Sequence, residues 1–252
     1  MQKFATERCS LFLATDLDGT LVGDDRAYEE LSIFLKSLPE KVCLAYITGR
    51  HYESVLGLIE AKGLALPDFL VTDVGTSIRV SGSFAVDTEW QERMQARWQP
   101  EAVRSLGQSI EGLYEQNLPD DCRISFTVDS DQAALKLKQR LTEAAIPHTY
   151  VFSSGCDVDI LPEGGGKGEA LKYLVSKYVK PDAPILVAGD SGNDRDMLMS
   201  GFPAVIVGNA HDELTDLPDN PMIFRASKPC AAGILQGWQH FYGTGRPDRV
   251  QP

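Results

Sequence analysis

Apolar positions fall in two rhythms along the first third of the chain. Residues 10–15, SLFLAT, form a short unbroken apolar run that ends in DLDGT, the pattern of a buried strand entering a glycine turn. Residues 27–38 place Leu31, Phe34, Leu35 and Leu38 at helical spacing, and Pro39 follows as a stop. A second buried strand is predicted over 41–47, KVCLAYI, ending at Thr48-Gly49-Arg50. Residues 52–61 predict a helix with Gly63 as its C-cap. A third strand, 69–72, ends at Asp73-Val74-Gly75-Thr76. Strands alternating with helices predict a parallel sheet with crossover helices. Polar and glycine residues gather just past each strand, at the edge where open α/β sheets bind ligands.

The rhythm changes between about residue 81 and residue 160. Polar helical stretches at 88–98, 101–115 and 131–144 flank β-like runs at 123–129 and 149–152. RISFTV, residues 123–128, alternates as a half-exposed strand does. This predicts a separate α+β insert, with 158–161 leading back to the first unit. Gly164-Gly165-Gly166 then opens a helix over 167–178. Buried strands at 184–188 and 204–207 end at Gly189-Asp190-Ser191-Gly192-Asn193-Asp194 and at Gly208-Asn209. The predicted class is therefore α/β: a Rossmann-like parallel-sheet core, 1–81 and 161–252, carrying an α+β insert at 82–160. The tail 243–252 is polar, with Gly and Pro, and is expected to be loosely ordered. Trp90 and Trp98 stand eight residues apart, which puts them on one helix face and favours packing over stacking on a ligand.

Composition narrows the function classes. The 252 residues are 43% hydrophobic, enough for a sizeable core. With 24 Lys and Arg against 36 Asp and Glu the net charge is −12, which argues against general nucleic-acid binding and against anionic membranes. No apolar run approaches the roughly 20 residues of a membrane helix. Residues 1–8 are polar and 11–14 too short for a secretory segment, so none is expected. Cys9, Cys43, Cys122, Cys156 and Cys230 are odd in number and scattered, without a CxxC pair. They are read as inert thiols in a reducing cytoplasm, neither a disulfide framework nor a zinc site.

The strand ends carry the chemistry. Asp16 and Asp18 stand two apart, on one side of an extended chain, and repel unless a cation lies between them. A hard divalent ion such as Mg²⁺ is the natural partner, and Asp190 and Asp194 close another strand with the same logic. Thr48 offers a hydroxyl and the Gly49 turn its amides to an anion. Lys167, after three glycines at a helix start, is placed to neutralise phosphate. His51, His148, His211 and His240 are isolated and receive no catalytic role.

Taken in order, DxDGT, T-G, K and GDSGND resemble the four motifs of the haloacid dehalogenase superfamily of aspartate-nucleophile phosphatases. DLDGTLVGDD, AYITGR, FSSGCDVDILP, the GKG stretch and AGDSGND further resemble the sucrose-phosphatase family, over nearly the whole chain. The resemblance implies a Mg²⁺-dependent phosphatase acting on sucrose-6-phosphate through an aspartyl-phosphate. It makes Asp16 the nucleophile and Asp18 the general acid and base. It gives the metal to Asp16, the Asp18 carbonyl and Asp190, with Asp194 supporting. The phosphoryl oxygens go to Thr48, Gly49, Lys167 and Asn193. The insert becomes a cap closing over the site. Its sugar-binding candidates are Glu115, Asn117, Ser154, Asp157 and Asp159, the carboxylates being equally readable as turn or surface residues. Arg50 is placed on phosphate or sugar, or in a salt bridge with an acidic neighbour. Cys156 stands where the resemblance leads one to expect a lysine. The implied partners are a small-molecule sugar phosphate and a sucrose-phosphate-synthase-type enzyme, with a monomeric chain. The competing readings are a phosphatase for mannosylfructose-phosphate or a glycosyl-phosphoglycerate, a phosphomannomutase-like phosphotransferase, and a non-catalytic sugar-phosphate binder. The last is disfavoured because every core carboxylate is kept.

Overall fold

The computed structural model describes residues 8–243. Its elements are, in chain order, β1 (Leu11–Thr15), α1 (Asp25–Ser37), β2 (Val42–Ile47), α2 (Tyr52–Lys62), β3 (Phe69–Thr72), β4 (Ser77–Val80), β5 (Ala85–Val86), α3 (Thr88–Gln95), α4 (Pro100–Gln108), β6 (Leu113–Glu115), β7 (Ile124–Val128), α5 (Asp131–Glu143), β8 (Thr149–Ser153), β9 (Asp157–Leu161), α6 (Lys167–Tyr178), β10 (Ile185–Gly189), α7 (Arg195–Leu198), β11 (Ala204–Ile206), β12 (Ile223–Arg225) and α8 (Cys230–Tyr242).

The unbroken apolar run of β1 makes it a central strand. Strand residues alternate between faces, and here both faces are covered. Leu11 and Leu13 pack with Leu31 of α1, Val55 of α2 and Trp238 of α8. Phe12 and Ala14 pack with Trp90 of α3, Leu171 of α6 and Met197 of α7. The sheet order is β12-β11-β10-β1-β2-β3-β4-β5. Pairing is parallel from β12 to β3, as predicted, while β4 and β5 return antiparallel as an edge hairpin. A parallel sheet sends every strand's carboxyl end to one edge, so the segments after β1, β2, β3 and β10 meet there.

A second, antiparallel sheet has the order β6-β7-β9-β8. Its two faces differ sharply. Ile124, Phe126, Val128, Val158 and Ile160 pack against Val103 of α4 and Leu137 and Leu141 of α5. The alternate residues are polar, and the register pairs Ser125 with Asp159 and Thr127 with Asp157.

The structure departs from the sequence reading at several places. β5 and α3 fall within 82–160 yet belong to the large sheet, where Trp90 is fully buried. The helix expected over 101–115 ends at Gln108, and Gly112, at φ 83°, turns the chain into β6. Residues 158–161 form most of β9, a central strand of the second sheet, from which the chain runs directly into α6 of the core. α3 stops at Gln95, so Trp90 and Trp98 do not share a helix face. Trp90 donates to the Gly75 carbonyl and Trp98 to that of Asp121. Cys9 and Cys43 are joined in a disulfide with their Cα atoms 5.9 Å apart, while Cys122, Cys156 and Cys230 are free. Strand adjacency brings the pair together across 34 positions of sequence, a proximity that spacing patterns do not register. Cysteine usage therefore no longer argues for a reducing compartment. No helix among the described residues is long and apolar enough to cross a membrane. The expected loose tail and the polar N-terminal stretch lie outside the described residues, apart from Arg8 and Gly243.

Candidate active site

Asp16, Asp190 and Asp194 converge at the carboxyl edge, with one carboxylate oxygen from each lying within 4.8 Å of the others. Lys167, 1% exposed at the start of α6, donates to Asp16 at 2.6 Å and to Asp194 at 2.7 Å. Asp194 is fully buried, and its other oxygen accepts the amides of Asp190 and Ser191 at 3.0 and 3.1 Å. Asp194 therefore orients Lys167 and the loop that carries Asp190. Asp190 accepts the Thr20 hydroxyl at 2.8 Å. Gly19, at φ 77°, lies so close that a Cβ there would stand 2.3 Å from an Asp190 carboxylate oxygen. The glycine of DLDGT is thus required twice, for its backbone and for this approach.

The charges in this cluster do not balance. Burial pushes the Asp16 carboxyl up, Lys167 pulls it down, and Asp194 and Asp190 push it up again, to about 8. Burial and then Asp194 push Asp190 to about 6, against the Thr20 hydroxyl and Lys167. Burial works against charge on Lys167 as well, but Asp16 and Asp194 outweigh it and hold the ammonium above its ordinary value. One ammonium among three buried carboxylates leaves negative charge uncompensated. An oxygen-rich, acidic and crowded site of this kind fits a hard divalent cation.

A stability test follows from these shifts. Both carboxyls titrate above their unfolded values when no metal is bound, so the folded state holds protons that the unfolded chain has released. The stability they contribute is complete below about pH 4 and is lost as pH rises through about 6 and about 8. In EDTA the melting temperature should fall across that window. Magnesium should raise it more at pH 8 than at pH 5, read by scanning calorimetry. An equal magnesium shift at both pH values would refute the charge argument.

Asp18 does not join the cluster with its side chain. Its carboxylate is held by Arg50 through two bonds, Nε at 2.6 Å and Nη2 at 2.8 Å, and Arg50 also donates to Ser54. Of the alternatives open for Arg50, the salt bridge is the one formed. Thr48 is buried, and its hydroxyl accepts the Arg50 amide at 3.2 Å. Gly49 faces Asn193, whose side-chain nitrogen lies 3.8 Å from where a Cβ would stand. The segments after β2 and β10 thus meet. Beneath them, Asp73 and Val74 adopt left-handed backbone at φ 54° and 56°. Their amides bond the carbonyls of Arg50 and Thr48. Strained non-glycine residues of this sort persist only where neighbours over-determine them.

The polar face of the second sheet turns toward this edge. Arg123 reaches across and donates to the Gly49 carbonyl at 2.8 Å, while its other bonds go to Asp159 and Ser125. Asp159 is buried and bound to both of those residues. Asp157 accepts from Gln116 at 2.9 Å, and Gln116 also bonds Thr127. Glu115 lies at the end of β6. The register pairs it with Phe126, on the helix-packed face, where Arg104 of α4 holds it at 2.6 Å. A one-residue step along a strand changes face, so Gln116 falls on the polar face, with Asp157 and Thr127. Asn117 and Glu115 together line a polar recess of about 230 Å³ with Gln116, Arg104 and Arg123. Ser154 sits at the β8–β9 turn at φ 56°, and its amide bonds Glu213 at 3.3 Å. Sequence reasoning had no means of finding Glu213, which lies 21 positions from the Gly192 amide that it also accepts.

Residues 9–242 match the model of the sucrose-6F-phosphate phosphohydrolase family. Sucrose-phosphatase 1 of Nicotiana tabacum is 32% identical over 94% of this chain and 60% of its own length. The chain thus spans about three-fifths of the plant relatives it matches. Mannosylfructose-phosphate phosphatase of Agrobacterium fabrum is 33% identical over 91% of this chain and 96% of its own. The sucrose-phosphatase of Synechocystis sp., solved in complex with sucrose and phosphate, is 34% identical. It superposes with a TM-score of 0.86 over 92% of this chain and 98% of that one. A haloacid dehalogenase-like hydrolase from Bacillus subtilis shares the fold at 19% identity and a TM-score of 0.67.

Proposed function

This chain belongs to the sucrose-6F-phosphate phosphohydrolase family, and from that premise we propose that it hydrolyses sucrose-6-phosphate to sucrose and phosphate. What supports the reading is a polar face of the second sheet joined to the strand-end edge that holds a buried Asp–Lys cluster. Arg123, bound to Ser125 and Asp159 on that face, donates to the carbonyl of Gly49, in the segment after β2. The second sheet with α4 and α5 is the cap that receives the sugar and excludes water.

In this mechanism an Asp16 carboxylate oxygen attacks phosphorus in line. The bond from phosphorus to the sugar oxygen breaks, and Asp18 gives that oxygen its proton. Water then attacks the aspartyl-phosphate. Asp18 takes the water's proton, and the bond from phosphorus to Asp16 breaks. Two carboxyls are needed because the nucleophile must be ionised while the acid carries a proton. Arg50, which holds both Asp18 oxygens here, releases one of them for Asp18 to carry its proton, and Lys167, Thr48, Gly49 and Asn193 receive the phosphoryl oxygens. Mg²⁺, held by Asp16 and Asp190 with the Asp18 carbonyl, would screen the anionic nucleophile from the anionic phosphate.

Phosphate release should be measured on sucrose-6-phosphate, mannosylfructose-phosphate, mannosyl-3-phosphoglycerate, glucose-6-phosphate and mannose-1-phosphate, with and without EDTA. Sucrose-6-phosphate should lead the panel, and EDTA should abolish its turnover. The full-length likeness to the Agrobacterium enzyme, with Cys156 standing where a lysine was expected, makes mannosylfructose-phosphate the second reading. A preference for that substrate would move the assignment to it.

A further inference from the structure

The β8–β9 turn of the small sheet meets the Gly192 turn of the large one at a single side chain. Glu213 Oε1 accepts the Ser154 amide at 3.3 Å and the Gly192 amide as well. Gly192 stands between Asp190 and Asp194, and its backbone is packed tightly. A Cβ there would lie 2.8 Å from Glu213 Oε1 and 3.0 Å from the Phe152 carbonyl. A side chain at 192 would therefore crowd both the Phe152 carbonyl and the Glu213 carboxylate. Ser154 belongs to the hairpin tip whose neighbours Ser153 and Asp157 lie on the polar face. One carboxylate oxygen thus ties the tip of the sugar-binding wall to the loop that carries the acidic cluster.

We propose that Glu213 is a positioning residue that couples cap closure to the acidic site. When the Ser154 turn comes down over a sugar, Glu213 holds it against the Gly192 turn, so that seating the sugar and ordering the segment from Asp190 to Asp194 occur together. Bonds from backbone amides to a carboxylate are charge-assisted and are formed here with both turns at once. One oxygen accepts both amides here, so in this proposal the bond to Ser154 biases the cap toward closure. The proposal rests on the sugar-phosphatase reading for its substrate but not for its geometry.

The test compares wild type, Glu213→Ala and Glu213→Gln in the full chain. With sucrose-6-phosphate, Glu213→Ala should raise KM by about tenfold to a hundredfold, the range of one lost charge-assisted bond. Its kcat should fall by much less, because the carboxylates and Lys167 are untouched. Glu213→Gln keeps an acceptor oxygen and should recover most of the loss. Amide hydrogen exchange without substrate should quicken in Glu213→Ala at both 152–156 and 191–194. A loss carried by kcat with KM unchanged, or exchange that quickens at only one segment, overturns the coupling. If wild type fails to release phosphate from sucrose-6-phosphate, the functional reading fails, and the exchange arm still decides the role of Glu213.

Discussion

Asp16→Asn should leave a folded protein that does not turn over. Asparagine has nearly the same shape, and at Asp16 it removes a charge from a cluster in which burial and Asp194 already oppose ionisation. Lys167 keeps its bond to Asp194. The melting temperature should therefore hold, or rise at pH 8 in the absence of metal, where the wild-type carboxyl is ionised at a cost. The amide cannot attack phosphorus, and removal of a nucleophile from a concerted set costs on the order of 10⁴-fold or more in rate. Steady-state phosphate release and calorimetry on the same preparation read both halves. Turnover within about tenfold of wild type would remove Asp16 as nucleophile.

Lys167→Met should damage both stability and rate. Methionine fills much of the lysine stem's volume, so packing changes little, but two buried carboxylates lose their 2.6 and 2.7 Å partner. Breaking a buried pair from one side costs about 3–5 kcal/mol. Protonation offers an escape, since an unpaired buried carboxyl takes up a proton rather than remain charged. The stability loss should therefore be largest near pH 8 and smaller near pH 5, and magnesium should recover part of it. The rate should fall about 100–1000-fold, the range for one preorganised donor to a transferring group. Calorimetry at both pH values, with kinetics at saturating magnesium, separates the two effects. A stability loss that does not change with pH would show that packing, not charge, is what Lys167 supplies.

Much of this was readable in advance, and particular residues explain why. Asp16, Thr48 and Asp190 each follow a strand whose apolar run is unmistakable, and a parallel sheet sends all such ends to one edge. Lys167 was readable because three glycines and a helix start precede it. Within the cap the reading weakened. Asp157 and Asp159 fall on the polar face of β9, but residues 101–115 read as one helix, because β6 is only three residues long and carries too little alternation to announce a strand. Cys9 and Cys43 gave no sign of pairing, since their contact depends on which strands become neighbours.

The sequence alone determined the α/β alternation, the strand-end motifs and so the class of chemistry, because these depend on local periodicity and on residues a few positions apart. Tertiary structure decided the rest. It set which face of β6 meets the site, that Arg50 takes Asp18, that Arg123 crosses to Gly49, and that Glu213 joins two turns. These are long-range contacts between groups whose local patterns look like ordinary surface charge. Only the packing of two sheets against each other selects their partners.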